Sequence, residues 1–202
     1  MLKLYSAPGT CSLAANIALH EADAGHELVT LDFASQQQRS PEYLAINPKG
    51  RVPALVTEHG VLSETTALLL YIAQRFPAAK LAPLDDPFAL ARMQEFNSYL
   101  ASTVHVNHAH GRRAARWADD AAAIADMQRK VPQTMTESFT LIENHYLQGP
   151  WVLGEAYSVA DAYLFTIASW LKSDGVDIAS FPKVAGHTAR MRTRPAVQRA
   201  LG

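Results

Sequence analysis

The 202-residue chain holds a single cysteine, Cys11, and that scarcity excludes several chemistries at once. One thiol forms no internal disulfide, no CxxC redox pair and no Cys-rich zinc site. Any thiol-disulfide chemistry must borrow its second sulfur from a ligand. Long apolar runs are also missing: no stretch approaches the ~20 uncharged residues that a membrane helix requires, and the opening "MLKLYSAPGT" lacks the apolar centre of a secretion signal. A soluble, cytoplasmic protein without a membrane partner is expected. Nor is there an excess of one charge. A formal net charge of −1 supplies no broad basic face for phosphates, so no nucleic-acid partner is expected.

The first part of the chain mixes strand and helix signals. Residues 2–6 read as a strand, "APGT" as a turn, and "CSLAANIALHEA" as a helix with Leu13 and Ile17 on one face. Gly25 is placed to end that helix, and "ELVTLDF" follows as a strand with Val29, Leu31 and Phe33 on one side. A strand-helix-strand unit of this length predicts parallel strands joined by a right-handed crossover. "SPEYLAINPKG" predicts a brief helix with Ser40 as N-cap and Pro41 at its first position. "RVPALVTEHGVLS" reads as two strands around Glu58-His59-Gly60, and "ETTALLLYIAQRF" as a helix.

Beyond Phe76 the pattern changes. "PAAKLAPLDDP" carries three prolines, which exclude a continuous helix and mark a linker. The Ala-rich remainder reads as helices near 88–117, 119–147, 158–172 and 182–200. The expected architecture is an α/β domain over residues 1–80, in the order βαβ-α-ββα, followed by an all-α domain over 87–202.

Four constellations bear on chemistry. In "RVPAL", Pro53 either sits on a sheet edge or follows a cis bond that turns Val52 outward, its N–H and C=O free to pair with an extended peptide. In "SETTALLL", Ser63 either caps a helix with Glu64 in its first turn, or the segment forms a seat for a free amino-acid head group. In that second reading helix N–H groups take the carboxylate and a Glu side chain takes the ammonium. Cys11 stands at a turn-to-helix junction, where the helix field lowers a thiol's pKa; the alternative is a buried, inert thiol, against which the polar neighbours Thr10 and Ser12 weigh. In "TVHVNHAHGRR", His105 and His108 share a helix face without a carboxylate at ligand spacing, so a metal site is not expected. One of these histidines could serve Cys11 as general base or hydrogen-bond partner. "YSVADAYLF" contains a capping box, Ser158 to Asp161, whose role reads as structural. The Arg-rich "RMRTRPAVQR" suits an amphipathic helix with a solvated face.

Taken together, "LYSAPGTCSL", "YLAINPKGRVPAL", "LSETTALLLYIA" and "YSVADAYLFTIASW" resemble the glutathione S-transferases, and among them the bacterial beta class. The resemblance covers nearly the whole chain. It implies a thioredoxin-like domain, a helical domain carrying the electrophile site, a homodimer, and glutathione as cosubstrate for conjugation to small hydrophobic electrophiles in detoxification. It also implies a cis Pro53, Val52 as backbone partner of the cysteinyl part of glutathione, and Glu64 and Thr65 as holders of the γ-glutamyl head. Cys11 and His105 then lie beside the glutathione sulfur, and Tyr5, Thr10 and Gln36 belong to the glutathione seat. Ser158 and Asp161 match the family's folding box.

The chain departs from that pattern in places. Ser6 stands where a second tyrosine is common, Gln36 where a lysine contacts glutathione, Val106 where a lysine follows the histidine, and Ser98 where an asparagine reaches across the dimer. These departures imply weaker glutathione binding than in a typical member. Thiol-disulfide exchange through Cys11 and non-catalytic ligand binding are the alternative functions. For transfer, the expected thiolate donors are N–H groups and hydroxyls around Thr10, Cys11 and Ser12.

Overall fold

The computed structural model describes all of residues 1–202. Leu2–Ser6 forms β1, with Leu2 and Leu4 facing the core. The chain crosses through α1 (Ser12–Glu21) to β2 (His26–Thr30), which pairs in parallel with β1 from Leu2↔His26 to Ser6↔Thr30. The expected βαβ unit is therefore present, with two local differences. Asp23, at φ 48°, takes the left-handed position after α1 instead of Gly25. The Ala24 N–H reaches the Leu19 carbonyl at 2.9 Å and the Asp23 N–H that of His20 at 3.2 Å, the paired bonds of a Schellman motif. Strand β2 also stops at Thr30, because the Asp32 carboxylate accepts the Ala34 N–H at 2.8 Å and turns the chain. Phe33 thereby leaves the sheet.

Pro41–Ile46 forms α2, capped as expected by the Ser40 hydroxyl, which accepts the Tyr43 N–H at 3.2 Å. β3 (Ala54–Thr57) runs antiparallel to β1, and β4 (Gly60–Ser63) returns from it as a hairpin closed by the pair Thr57↔Gly60. The sheet order is β2-β1-β3-β4. Helix α3 (Thr65–Arg75) joins α1 on one face of the sheet, where Leu4 and Leu55 meet Leu68, Leu69 and Ile72. On the other face Tyr43 of α2 packs with Leu31, Val52 and Ala54.

The helical half is more broken than its periodicity predicts. The candidate over 88–117 is α4 (Pro87–Tyr99), a π turn at Leu100–Val104, α5 (His105–Arg112) and a 3-10 turn at Ala114–Arg116. The next is α6 (Ala121–Leu141) ending in a second π turn. α7 (Val159–Ala168) is buried along its entire length, and Asp120, Asp86 and Ser158 cap α6, α4 and α7 with their side chains. The last candidate splits at Pro195 into α8 (Pro182–Arg192) and α9 (Pro195–Leu201).

Helix α1 ties the halves together. Its small residues Ala14, Ala15 and Ala18 are buried, and it packs against α3, α7 and α9. One hydrophobic cluster runs from Leu4 and Leu55 through Ala15 to Phe96, Phe139 and Tyr163. The segment after Lys80 has no regular structure, yet Leu81 is buried and its carbonyl accepts the Val159 N–H at 2.8 Å. No helix is long and apolar enough to cross a membrane.

Candidate active site

The turn between β1 and α1 faces the helical half across a cleft. Val52, Cys11 and His105 line both ends of it. One end continues past Glu64, Thr65 and Tyr163, the other past Gly9, Thr10 and Trp170.

Backbone geometry at Val52 is set by side chains the sequence reading did not single out. The Arg51 carbonyl accepts the Tyr43 hydroxyl at 2.6 Å and the Asn47 amide at 2.7 Å. A peptide unit's N–H points opposite to its C=O, so this double anchor aims the Val52 N–H away from α2. The Val52–Pro53 bond is cis, which excludes the trans edge reading.

Glu64 also departs from the capping alternative. It precedes α3 in a left-handed conformation, φ 74°, and its carboxylate makes no cap bond. Instead it takes the Lys49 ammonium at 2.6 Å, and the same ammonium donates to Ser63 Oγ at 2.9 Å. An ammonium thus already sits against this carboxylate, while Thr65 and Thr66 open the helix beside it.

Cys11 is buried, contrary to the weight given to its polar neighbours, and its Sγ lies 3.7 Å from the Val52 carbonyl oxygen. Burial pushes its pKa up, the nearby Glu64 charge adds to this, and the Thr65 hydroxyl, the Cys11 backbone N–H and Arg113 only oppose it in part. The expected depression by the helix start is therefore overturned: desolvation outweighs the field of one short helix. The neighbouring hydroxyls are also committed elsewhere. Thr10 Oγ1 donates to the Ala7 carbonyl at 2.7 Å, and Ser12 Oγ lies 2.6 Å from Thr10 Oγ1 and 2.7 Å from Ser6 Oγ. They hold the turn together, and Ser6 earns its place in that network. The Ser12 N–H group at the start of α1 has no backbone acceptor.

His105 follows the π turn. Burial, then the charges of His108 and of Arg113, Arg116 and Arg51, push its pKa down to about 4, so it is neutral near pH 7. Its ring lies 4.9 Å from that of Trp170, which in turn stacks on His108 at 4.3 Å. The His108 Nδ1 donates to both oxygens of Asp174 at 2.8 Å. Asp174 is the carboxylate that local spacing did not reveal, and it orients an imidazole rather than completing a metal cluster; no group of three or more His, Cys, Asp or Glu side chains has metal-binding geometry. Trp170 Nε1 donates to the Gly9 carbonyl at 3.1 Å, pinning the Cys11 turn to the helical half.

Two expected seat residues lie outside this cleft. Tyr5 packs on Tyr43, ring centroids 5.3 Å apart, beneath the sheet. Gln36, exposed at φ 57°, starts the 3-10 turn Gln37–Arg39 and turns its successors inward, so that Gln38 and Arg39 line the cleft in its place. A Cβ at Gly50, φ 57°, would come within 2.8 Å of the Gln38 carbonyl oxygen and 2.9 Å of the Arg39 guanidinium, so glycine is required by the backbone there, and Arg39 lies beside it. Val106 lines the end near Glu64, and Ser98 is exposed on α4.

Far from the cleft, Asp161 is fully buried and accepts the Val152 and Ser158 N–H groups at 2.8 Å and His187 Nε2 at 3.0 Å. The capping box is complete, as the sequence reading expects.

A four-stranded thioredoxin-like sheet with a cis-proline turn, closed by a helical domain across a cleft, defines the fold class of the glutathione transferases. Residues 1–74 match the family model for the glutathione S-transferase N-terminal domain and residues 106–195 that for its C-terminal domain. Glutathione S-transferase GstA of Escherichia coli O157:H7 is 30% identical over 99% of this chain and 97% of its own length. A glutathione transferase homologue from Sulfitobacter, solved with bound glutathione, superposes with a TM-score of 0.97 at 48% identity, covering 100% of this chain and 97% of that one. The bacterial beta class enzyme of Sphingomonas chungbukensis gives a TM-score of 0.86 at 32% identity, covering 98% and 96%. The chain belongs to the glutathione S-transferase family. It is a glutathione transferase with glutathione as its cosubstrate.

Proposed function

We propose that glutathione lies extended along Val52, its γ-glutamyl ammonium on Glu64 and its α-carboxylate on the N–H groups that open α3. The ion pair Lys49–Glu64 at 2.6 Å is the observation that supports this reading, since a carboxylate that accepts the Lys49 ammonium has the charge and exposure to accept that of glutathione. The glutathione sulfur then faces Cys11 and His105. A neutral imidazole with its pKa near 4 is a poor base, so His105 serves as a hydrogen-bond donor to the thiolate, together with the free Ser12 N–H group. The thiol proton passes to solvent. The sulfur lone pair forms the new bond to carbon, and the leaving group departs with its electron pair.

Small electrophiles with an apolar body fit against Ala101, Val106, Ala109 and Trp117. The buried, protonated thiol of Cys11 favours transfer over thiol-disulfide exchange, because the thiolate is the reacting form in exchange. We assign glutathione binding to residues 1–80 and the electrophile site to 87–202, in a cytoplasmic homodimer engaged in detoxification. A monomeric mass by light scattering at micromolar concentration would remove the dimer from this reading.

Glu64→Gln tests the seat, because it keeps the shape and removes the charge. Calorimetry should find glutathione binding weakened about 10- to 100-fold, the loss of one charge-assisted hydrogen bond. Unchanged affinity would overturn the reading.

A further inference from the structure

The cleft holds more positive charge than glutathione uses. Arg39, Arg51, Arg113 and Arg116 all line it. None of the four has a carboxylate within ion-pair distance, although Lys3, Arg75, Arg92, Arg129 and Arg194 elsewhere each have one. Glu64, which lines the cleft, and Asp174, which holds His108, pair with Lys49 and His108 and with none of the four arginines. With a net charge of only −1 over the whole chain, this concentration is local.

The four guanidinium groups are close enough to feel one another. Partial burial and then the charges of Arg113, Arg51 and Arg39 push Arg116 down from its usual range, and Arg113 acts on the Cys11 sulfur. Like charges gathered around one cavity repel, and an anion relieves that repulsion.

Glutathione carries two carboxylates and one ammonium. In the seat proposed above, the ammonium goes to Glu64 and the α-carboxylate to α3, which leaves one carboxylate, the glycyl one, for the arginines. Arg39 and Arg51 flank Gly50 in the thioredoxin-like half and suffice for it, since a single guanidinium grips a carboxylate with two parallel bonds. Arg113 and Arg116 then have no partner. They rise from the helical half next to Ala109, with the Arg113 guanidinium 5.9 Å above the Phe33 ring. Charge and apolar surface lie side by side there.

We propose that the electrophile accepted by this enzyme bears an oxyanion, such as a carboxylate, on an apolar or aromatic body, with Arg113 and Arg116 holding the anion. This rests on the glutathione seat proposed above and adds a charged group to the electrophile.

The test uses two matched probes: the glutathione conjugate of a chloronitrobenzoic acid and that of the corresponding chloronitrobenzamide, titrated by calorimetry alongside glutathione itself. The acid conjugate should bind about tenfold more tightly than its amide twin at low ionic strength, with the preference shrinking to about twofold near 0.5 M salt. In the double variant Arg113→Gln, Arg116→Gln the preference should fall to about one. Arg113→Lys, Arg116→Lys should restore part of it, because the charge returns without the fork. Both side chains are exposed, and an unchanged circular dichroism spectrum checks that the variants fold. Equal affinity for the twins in the unmodified enzyme, with glutathione bound, would overturn this proposal and leave the glutathione seat standing. Failure to bind glutathione and both conjugates would overturn both readings.

Discussion

The Sγ of Cys11 and the carbonyl oxygen of Val52, 41 residues apart in sequence, lie 3.7 Å from each other on the cleft floor. A thiol held there in a desolvated site, its pKa raised, is protonated at neutral pH. Iodoacetamide should therefore label Cys11 more slowly than a free cysteine, with the rate still climbing above pH 9. Cys11→Ala should keep most conjugating activity, measured as thioether formation with chlorodinitrobenzene.

His105 makes stability depend on acidity in a defined direction. The unfolded chain protonates this histidine near pH 6.5 and the folded one near pH 4. Between those values the unfolded state holds the extra proton, so stability present above pH 6.5 is lost as the pH falls toward 4. The loss is on the order of 3 kcal/mol. Urea midpoints at pH 7 and pH 5 check this, and His105→Gln should flatten the difference.

In the proposed seat, Asn47 acts on glutathione through the Arg51–Val52 peptide. With Asn47→Ala, the Arg51 carbonyl keeps only the Tyr43 hydroxyl, and the Val52 N–H is aimed less firmly. Glutathione affinity should fall about 3- to 10-fold, at a stability cost of about 1 kcal/mol for the hydrogen bond. Calorimetry and denaturant titration separate the two effects.

Trp170→Phe keeps an aromatic ring against His108 and removes the bond from Nε1 to the Gly9 carbonyl. The Cys11 turn should loosen. Faster amide exchange confined to Ala7, Leu13 and Ala14, whose N–H groups are bonded within this turn, is expected, with a stability loss of about 1 kcal/mol.

Asp161→Ala leaves His187 and two backbone N–H groups without an acceptor in a fully buried site. A loss of about 3–5 kcal/mol is expected, read as a drop in the denaturation midpoint or as insoluble chain.

Local patterns carried the elements furthest. The βαβ unit, the Glu58-His59 hairpin, the Ser40 cap and the Ser158–Asp161 box are each written within a few adjacent residues, and each is present. The π turns at Leu100–Val104 and Ile142–Tyr146 left no mark, because one extra residue per turn barely disturbs an apolar stripe. At the site, the sequence pointed to the cis turn, Glu64 and His105. It missed what folding alone brings together: Trp170 with Gly9, 161 residues away, Asp174 with His108, and four arginines from three segments. The helix-start argument gave the wrong sign for Cys11, since it counts the field of α1 but not the wall of Val52 and Tyr163 that excludes water.

The cleft draws its two walls from different parts of the chain. Val52, Glu64 and Thr65 come from a tightly bonded sheet margin, whereas His105, Ala109, Arg113 and Arg116 come from one helix and the short turn after it. Under the proposed assignment of the two walls, changes along that helix face alter which molecules are accepted without disturbing the peptide that attacks them. Diversification within such a scaffold is thus free to retune the target while the reagent stays constant.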